Sequence, residues 1–143
     1  MAKPKFTMVI AGLTLVVLGT ASAAQAEIMK FYADMTAGDA TPPTDSKANG
    51  TAFVTVDTDA KQLMWTVQID GLTGDATAAH IHGPAAKGEK AGPEIDMSKA
   101  IMGGNAAITD AQIADIKAGK TYVNVHTAKF PDGEIRGQLT AAK

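Results

Sequence analysis

The stretch TAFVTVDTDAKQLMWTVQIDGL, residues 51–72, restricts the fold more than any other part of the chain. Ala52, Val54 and Val56 alternate with polar or aromatic neighbours. After DTDAK, Leu63, Trp65, Val67 and Ile69 alternate with Met64, Thr66, Gln68 and Asp70. A repeat of two places each set on one face of an extended strand, whereas a helix would scatter them. The segment therefore predicts a hairpin with one buried face and one wet face. An isolated hairpin is marginal in water, so the rest of the chain has to supply strands that cover its apolar side.

The remaining segments supply them. In EIMKFYADMTAG, residues 27–38, Met29, Phe31, Ala33 and Met35 fall on one face. Residues 38–50, GDATPPTDSKANG, are turn formers and predict a loop. TAAHIHG predicts a short strand that ends at Gly83–Pro84, and GPAAKGEKAGP, residues 83–93, predicts a loop above it. EIDMSKAIMGGNAAI predicts one or two short strands. TDAQIADIKAGK is the clear helix: Thr109 caps it, Gln112 completes a capping box, Ile113 and Ile116 form an apolar stripe, and Gly119 stops it. KTYVNVHT places Val123 and Val125 on one side and Tyr122, Asn124 and His126 on the other. GEIRGQLTA closes the chain, with Ile135 and Leu139 opposed to Glu134, Arg136 and Gln138. Glu134 and Arg136 are expected to pair with neighbours across strands as ordinary strand architecture. Many short strands between turns predict an all-β antiparallel sandwich with one short helix.

The first 26 residues read differently. Lys3 and Lys5 precede an apolar run of 13 residues, Phe6–Leu18, followed by the small residues GTASAAQA. Basic, apolar, then small is the order of a secretory signal peptide. The run is shorter than the roughly 20 residues a membrane span needs. Cleavage is expected after Ala26, with Ala23 as the second choice, leaving residues 27–143 as one exported domain in the periplasm or outside the cell. Removing two lysines makes the remainder more acidic than the net −2 of the whole chain. That balance gives no reason to expect a nucleic-acid partner or an anionic membrane surface. With no cysteine there is no disulfide, so the core alone has to hold the domain.

The chain has three histidines, and all lie in two strand-like segments. His80 and His82 are two residues apart and project from the same face, opposite Ala79 and Ile81. His126 points away from Val123 and Val125. If strands 77–82 and 121–127 are neighbours, the three imidazoles converge on the outer face of one sheet. Three imidazole nitrogens suit copper or zinc and leave a further coordination position open. Glu94, Asp96, Asp132 and Glu134 are nearby acids for that position, and Met64 is a soft ligand if it comes close. The competing reading is a metal-free hydrogen-bonded network with Tyr122, Asn124 and Arg136 as partners.

AAHIHGPA at 78–85, the helix end at Ile113–Gly119, YVNVHT at 122–127 and FPDGEIRGQL at 130–139 together resemble the CHRD domain. This module is repeated in the animal protein chordin and found singly in secreted bacterial proteins. The resemblance implies a compact β-sandwich of immunoglobulin-like or superoxide-dismutase-like Greek-key character, and it implies no reaction. The His-x-His pair with a distant third histidine also resembles the copper site of copper–zinc superoxide dismutases. Those enzymes have further ligands and a disulfide, and this chain has neither a fourth histidine nor a cysteine.

Other catalytic arrangements are poorly supplied. Ser98 has no G-x-S-x-G elbow around it. Asp57 and Asp59 flank a turn, where aspartate bonds its own backbone. GPAAKGEKAG lacks the Gly-Lys-Ser/Thr of a phosphate loop. The sequence thus reads as an exported binding module, taking copper or else zinc through His80, His82 and His126. Its rivals are a metal-free structural or protein-binding module and, behind that, a redox or hydrolytic metalloenzyme.

Overall fold

The computed structural model of the chain describes residues 26–143, so the expected leader lies almost wholly outside the described residues. The strands are β1 (Ile28–Thr36), β2 (Asn49–Asp57), β3 (Gln62–Asp70), β4 (Ala76–His82), β5 (Pro93–Asp96), β6 (Gly103–Ala107), β7 (Tyr122–Thr127), β8 (Ile135–Gln138) and β9 (Thr140–Ala141). One helix, α1 (Asp110–Lys117), precedes β7. All pairings are antiparallel, in the order β5-β4-β7-β8-β1-β2-β3-β6, with β9 on β1. The β1–β8 pairing is a single register point, Thr36 opposite Arg136. The sheet turns over at that junction, which makes two halves, β5-β4-β7-β8 and β1-β2-β3-β6, of an antiparallel sandwich.

The alternating residues meet between these halves. Ala52, Val54, Val56, Leu63, Trp65 and Val67 of the hairpin are buried with Phe31, Ala33 and Met35 of β1. Ala79 and Ile81 of β4, Val123 and Val125 of β7, and Ile135 and Leu139 join the same core. Each large aliphatic side chain so enclosed contributes about 2 kcal/mol through removal from water. The Trp65 indole N–H donates to the Ala100 carbonyl at 2.9 Å, so its polar atom is satisfied where its ring is buried.

The ambiguous stretch after Gly92 resolves into two strands, β5 and β6, on opposite edges of the sheet. Helix α1 starts as expected, with a complete capping box between Thr109 and Gln112. Ile113 and Ile116 are its buried residues. Gly119 follows with φ +68°, a conformation that glycine adopts without steric cost.

Two expectations need correction. Strand β7 has no wet face, because Tyr122 and Asn124 are buried as well as Val123 and Val125. Loops 83–92 and 128–134 fold over what would otherwise be its solvent side. Among the described residues Glu134 and Arg136 form no ion pairs across strands. Glu134 precedes β8, is fully buried, and accepts four hydrogen bonds. They come from Ser46 Oγ (2.6 Å), Thr73 N (2.9 Å), Thr73 Oγ1 (2.8 Å) and Thr127 Oγ1 (2.6 Å). A carboxylate has about four acceptor sites, and each is used here. Glu134 thereby ties together three segments that share no sheet pairing.

Candidate metal centre

The site starts from the pairing of β4 with β7. His80 lies opposite Asn124, His82 opposite Tyr122, and Ala78 opposite His126. His80 and His126 are therefore diagonal neighbours on one face, within reach of large side chains. Their ring centres are 5.1 Å apart, those of His80 and His82 are 5.4 Å apart, and those of His82 and His126 are 6.0 Å apart. One nitrogen from each ring lies within 4.8 Å of the other two. Among the described residues this is the one such cluster, and no carboxylate belongs to it.

The far nitrogens of two rings are already engaged. His82 Nδ1 is 3.0 Å from the Ala91 carbonyl, and His126 Nδ1 is 2.8 Å from the Pro131 carbonyl. A carbonyl can only accept, so both Nδ1 atoms carry the proton and donate it. Both Nε2 atoms then present a lone pair. His82 Nε2 is buried and has no partner. His126 Nε2 is 3.2 Å from His80 Nδ1, which donates to it in this arrangement. On its other side, His80 Nε2 is 3.7 Å from Asp96 Oδ1. With the His80 proton on Nε2 instead, that N–H would lie on the Asp96 side and each of the three rings would offer a lone-pair nitrogen to the cluster.

Burial sets the protonation. It pushes the His82 imidazole below the ordinary histidine value, opposed by the Ala91 carbonyl and reinforced by His80, His126 and Arg136. Burial also lowers His80, reinforced by His126 and opposed by Asp96. Both rings are thus favoured as the neutral form, which is the form that ligates metals.

The surrounding residues hold this geometry. Tyr122 stacks on His82, with ring centres 5.0 Å apart and planes within 8°. The Tyr122 hydroxyl donates to the Ala91 carbonyl and accepts from the Ala91 N–H, both at 3.1 Å, which fixes the carbonyl that His82 uses. Asn124 Nδ2 donates to the Asp132 carbonyl at 3.0 Å, which fixes the turn whose Pro131 carbonyl His126 uses. Gly133 has φ +124°, and any Cβ there would overlap the Asn124 side-chain amide. An open hollow of about 180 Å³ adjoins His82 and His126, walled by Tyr122, Asn124, Asp132 and Arg136 among others.

The other sequence candidates separate. Asp96 stands beside His80, and Asp132 lines the hollow. Glu134 is engaged by its four hydroxyl and amide donors. Glu94 lies across from helix α1, where burial and then Asp115 raise its carboxyl. Met64 is exposed on β3, in the half of the sandwich without the histidines. The expected bonds from Tyr122, Asn124 and Arg136 to the histidines are absent among the described residues. Tyr122 acts by stacking, Asn124 acts through the turn, and Arg136 lies on the Tyr122 ring at 3.4 Å.

The family model of the CHRD domain matches residues 31–139. The chain belongs to the CHRD domain family. The match runs from Phe31 within β1 to Leu139 and so includes every residue of the histidine cluster and both loops over it. No curated protein and no solved structure matches this CHRD chain. Among its described residues no helix is long and apolar enough to cross a membrane.

Proposed function

We propose that this CHRD domain is an exported metal-binding module that takes copper, with zinc as the second choice, through His82 Nε2, His126 Nε2 and His80 Nδ1. The observation that carries the reading is the occupation of the far nitrogens. Metal-ligating histidines almost always donate their other N–H to a carbonyl or carboxylate. Here the Ala91 and Pro131 carbonyls take that role for His82 and His126, and the Asp96 carboxylate stands 3.7 Å from the far nitrogen of His80. Distance also supports the reading. Ligands about 2.05 Å from a tetrahedral ion lie about 3.3 Å apart, and His80 Nδ1 and His126 Nε2 are 3.2 Å apart. An all-imidazole set without thiolate binds copper(II) more tightly than zinc under the Irving–Williams order. The leader-like first 26 residues support export, into a compartment where cell-envelope metal handling is needed.

The test is calorimetry and thermal melting of the purified protein with one equivalent of copper(II) or zinc(II). A ligand that binds only the folded state raises the melting temperature by mass action, by about 2.7 kcal/mol of stability at one hundred times Kd. His82→Ala, His126→Ala and His80→Ala should each remove most of that shift. An unshifted wild-type protein would refute the reading.

A second reading has its own observation. The outer face of β1-β2-β3 exposes Phe53 (52%) and Met64 (53%), with Tyr32 packed on Phe53 at 5.2 Å between ring centres. That apolar surface favours a protein-contact module, and its metal-free form would leave the three alanine variants with unaltered partner binding.

A further inference from the structure

Arg136 is 2% exposed. Its guanidinium keeps its charge at any ordinary pH. Among the described residues no carboxylate pairs with it. Nη1 donates to Thr41 Oγ1 at 2.8 Å, the ring of Tyr122 covers the guanidinium, and Nη2 has no partner. Asp39 acts on the guanidinium electrostatically, but its oxygens are engaged by Lys87 Nζ at 3.1 Å and Thr36 Oγ1 at 3.1 Å. A buried cation with an unused donor is an unfavourable arrangement unless a counter-ion completes it. Arg136 also forms one wall of the 180 Å³ hollow, and Lys90 forms another.

We propose that this hollow is a binding site for a small oxyanion or carboxylate, with one anionic oxygen on Arg136 Nη2 and Lys90 as the second cation. The hollow is small and opens to solvent, which suits an anion of phosphate or formate size. The site takes its charge from Arg136 and Lys90, and because His82 and His126 line the same hollow it is tested without metal.

Chelator-treated protein is titrated with formate and with inorganic phosphate at constant ionic strength, and amide resonances are followed by NMR. The site predicts saturable shifts confined to the segments that line the hollow, around residues 41, 82, 90–91, 122–126 and 131–136. Arg136→Lys, which loses the planar fork, should weaken binding at least about tenfold. Lys90→Gln, at an exposed position, should weaken it several-fold with the fold intact. Formamide, the neutral analogue of formate, should not bind even if Arg136→Lys proves unfolded by circular dichroism. Unsaturable shifts, shifts spread over the surface lysines, indifference to Lys90→Gln, or formamide binding equal to formate would each overturn the proposal.

Discussion

The residue that most distinguishes this site from a surface cluster is His82. It is 8% exposed, and its Nε2 lacks any partner. The pH dependence follows from burial. His80 and His82 are held below the ordinary value of 6.5 in the folded chain, so the unfolded chain binds protons more readily. Their stabilising contribution is complete above about 6.5 and declines as the pH falls below it. Urea unfolding of metal-free protein should give lower stability at pH 5 than at pH 7, and His82→Gln should flatten that slope. Glu134 acts in a lower window. Burial raises its carboxyl, but donors from Ser46, Thr127 and Thr73 outweigh burial and hold it below 4.5. Its contribution is therefore present above about 4.5 and lost on further acidification. Glu134→Gln places an amide N–H against hydroxyl donors and should cost about 2 kcal/mol or more, read by urea midpoint at pH 7. At this scale the sequence was legible only in part. Alternation placed His80 and His82 on one face and turned His126 away from the core, but their convergence depended on the pairing of β4 with β7. The Ala91 and Pro131 carbonyls that orient them are backbone groups in loops, where side-chain pattern carries no signal. Glu134 was misread because alternation in GEIRGQL puts it in phase with Arg136, although its backbone has not yet entered the strand.

At the scale of elements, the strands were legible because burial on one face imposes a period of two. Strand β7 was the exception. Both its faces are covered, and the polar identity of Asn124 and His126 hid the covering. A signal was present all the same: Tyr122, Asn124 and His126 share one parity and face a turn-rich stretch, FPDG, that can fold back over them. That turn is predicted to be the most sensitive element of the site. Gly133→Ala forces a side chain into Asn124 at a backbone φ of +124°, which displaces the Pro131 carbonyl from His126. Loss of such an outer support typically costs ten- to a hundred-fold in metal affinity. Copper titration of Gly133→Ala should show at least about a tenfold weaker Kd, together with a lower melting temperature. Helix α1 lies away from the cluster and serves as the contrast. Thr109→Ala removes its cap, should cost about 1 kcal/mol in unfolding, and should leave metal affinity unchanged.

At the scale of the molecule, the sandwich separates its tasks. Both halves and helix α1 supply the core, but the β1-β2-β3-β6 half carries no histidine, while the β5-β4-β7-β8 half carries all three. Loops 83–92 and 128–134 join neighbouring strands of that half, β4 to β5 and β7 to β8, and fold back over the outer face of β4 and β7. Strand order was the least legible part, since it depends on which half each strand joins and not on its own periodicity. The proposed export makes a separate prediction: exported protein should begin at Glu27, or at Ala24 if the second cleavage position is used, by N-terminal sequencing. The central claim remains that three imidazoles from two distant segments form one coordination site. Copper K-edge X-ray absorption on protein loaded with one equivalent and dialysed tests it most directly. The account predicts one retained copper per chain, with scattering from three imidazole nitrogens at about 2.0 Å. Copper lost on dialysis, or retained in a shell without three imidazoles, would contradict it.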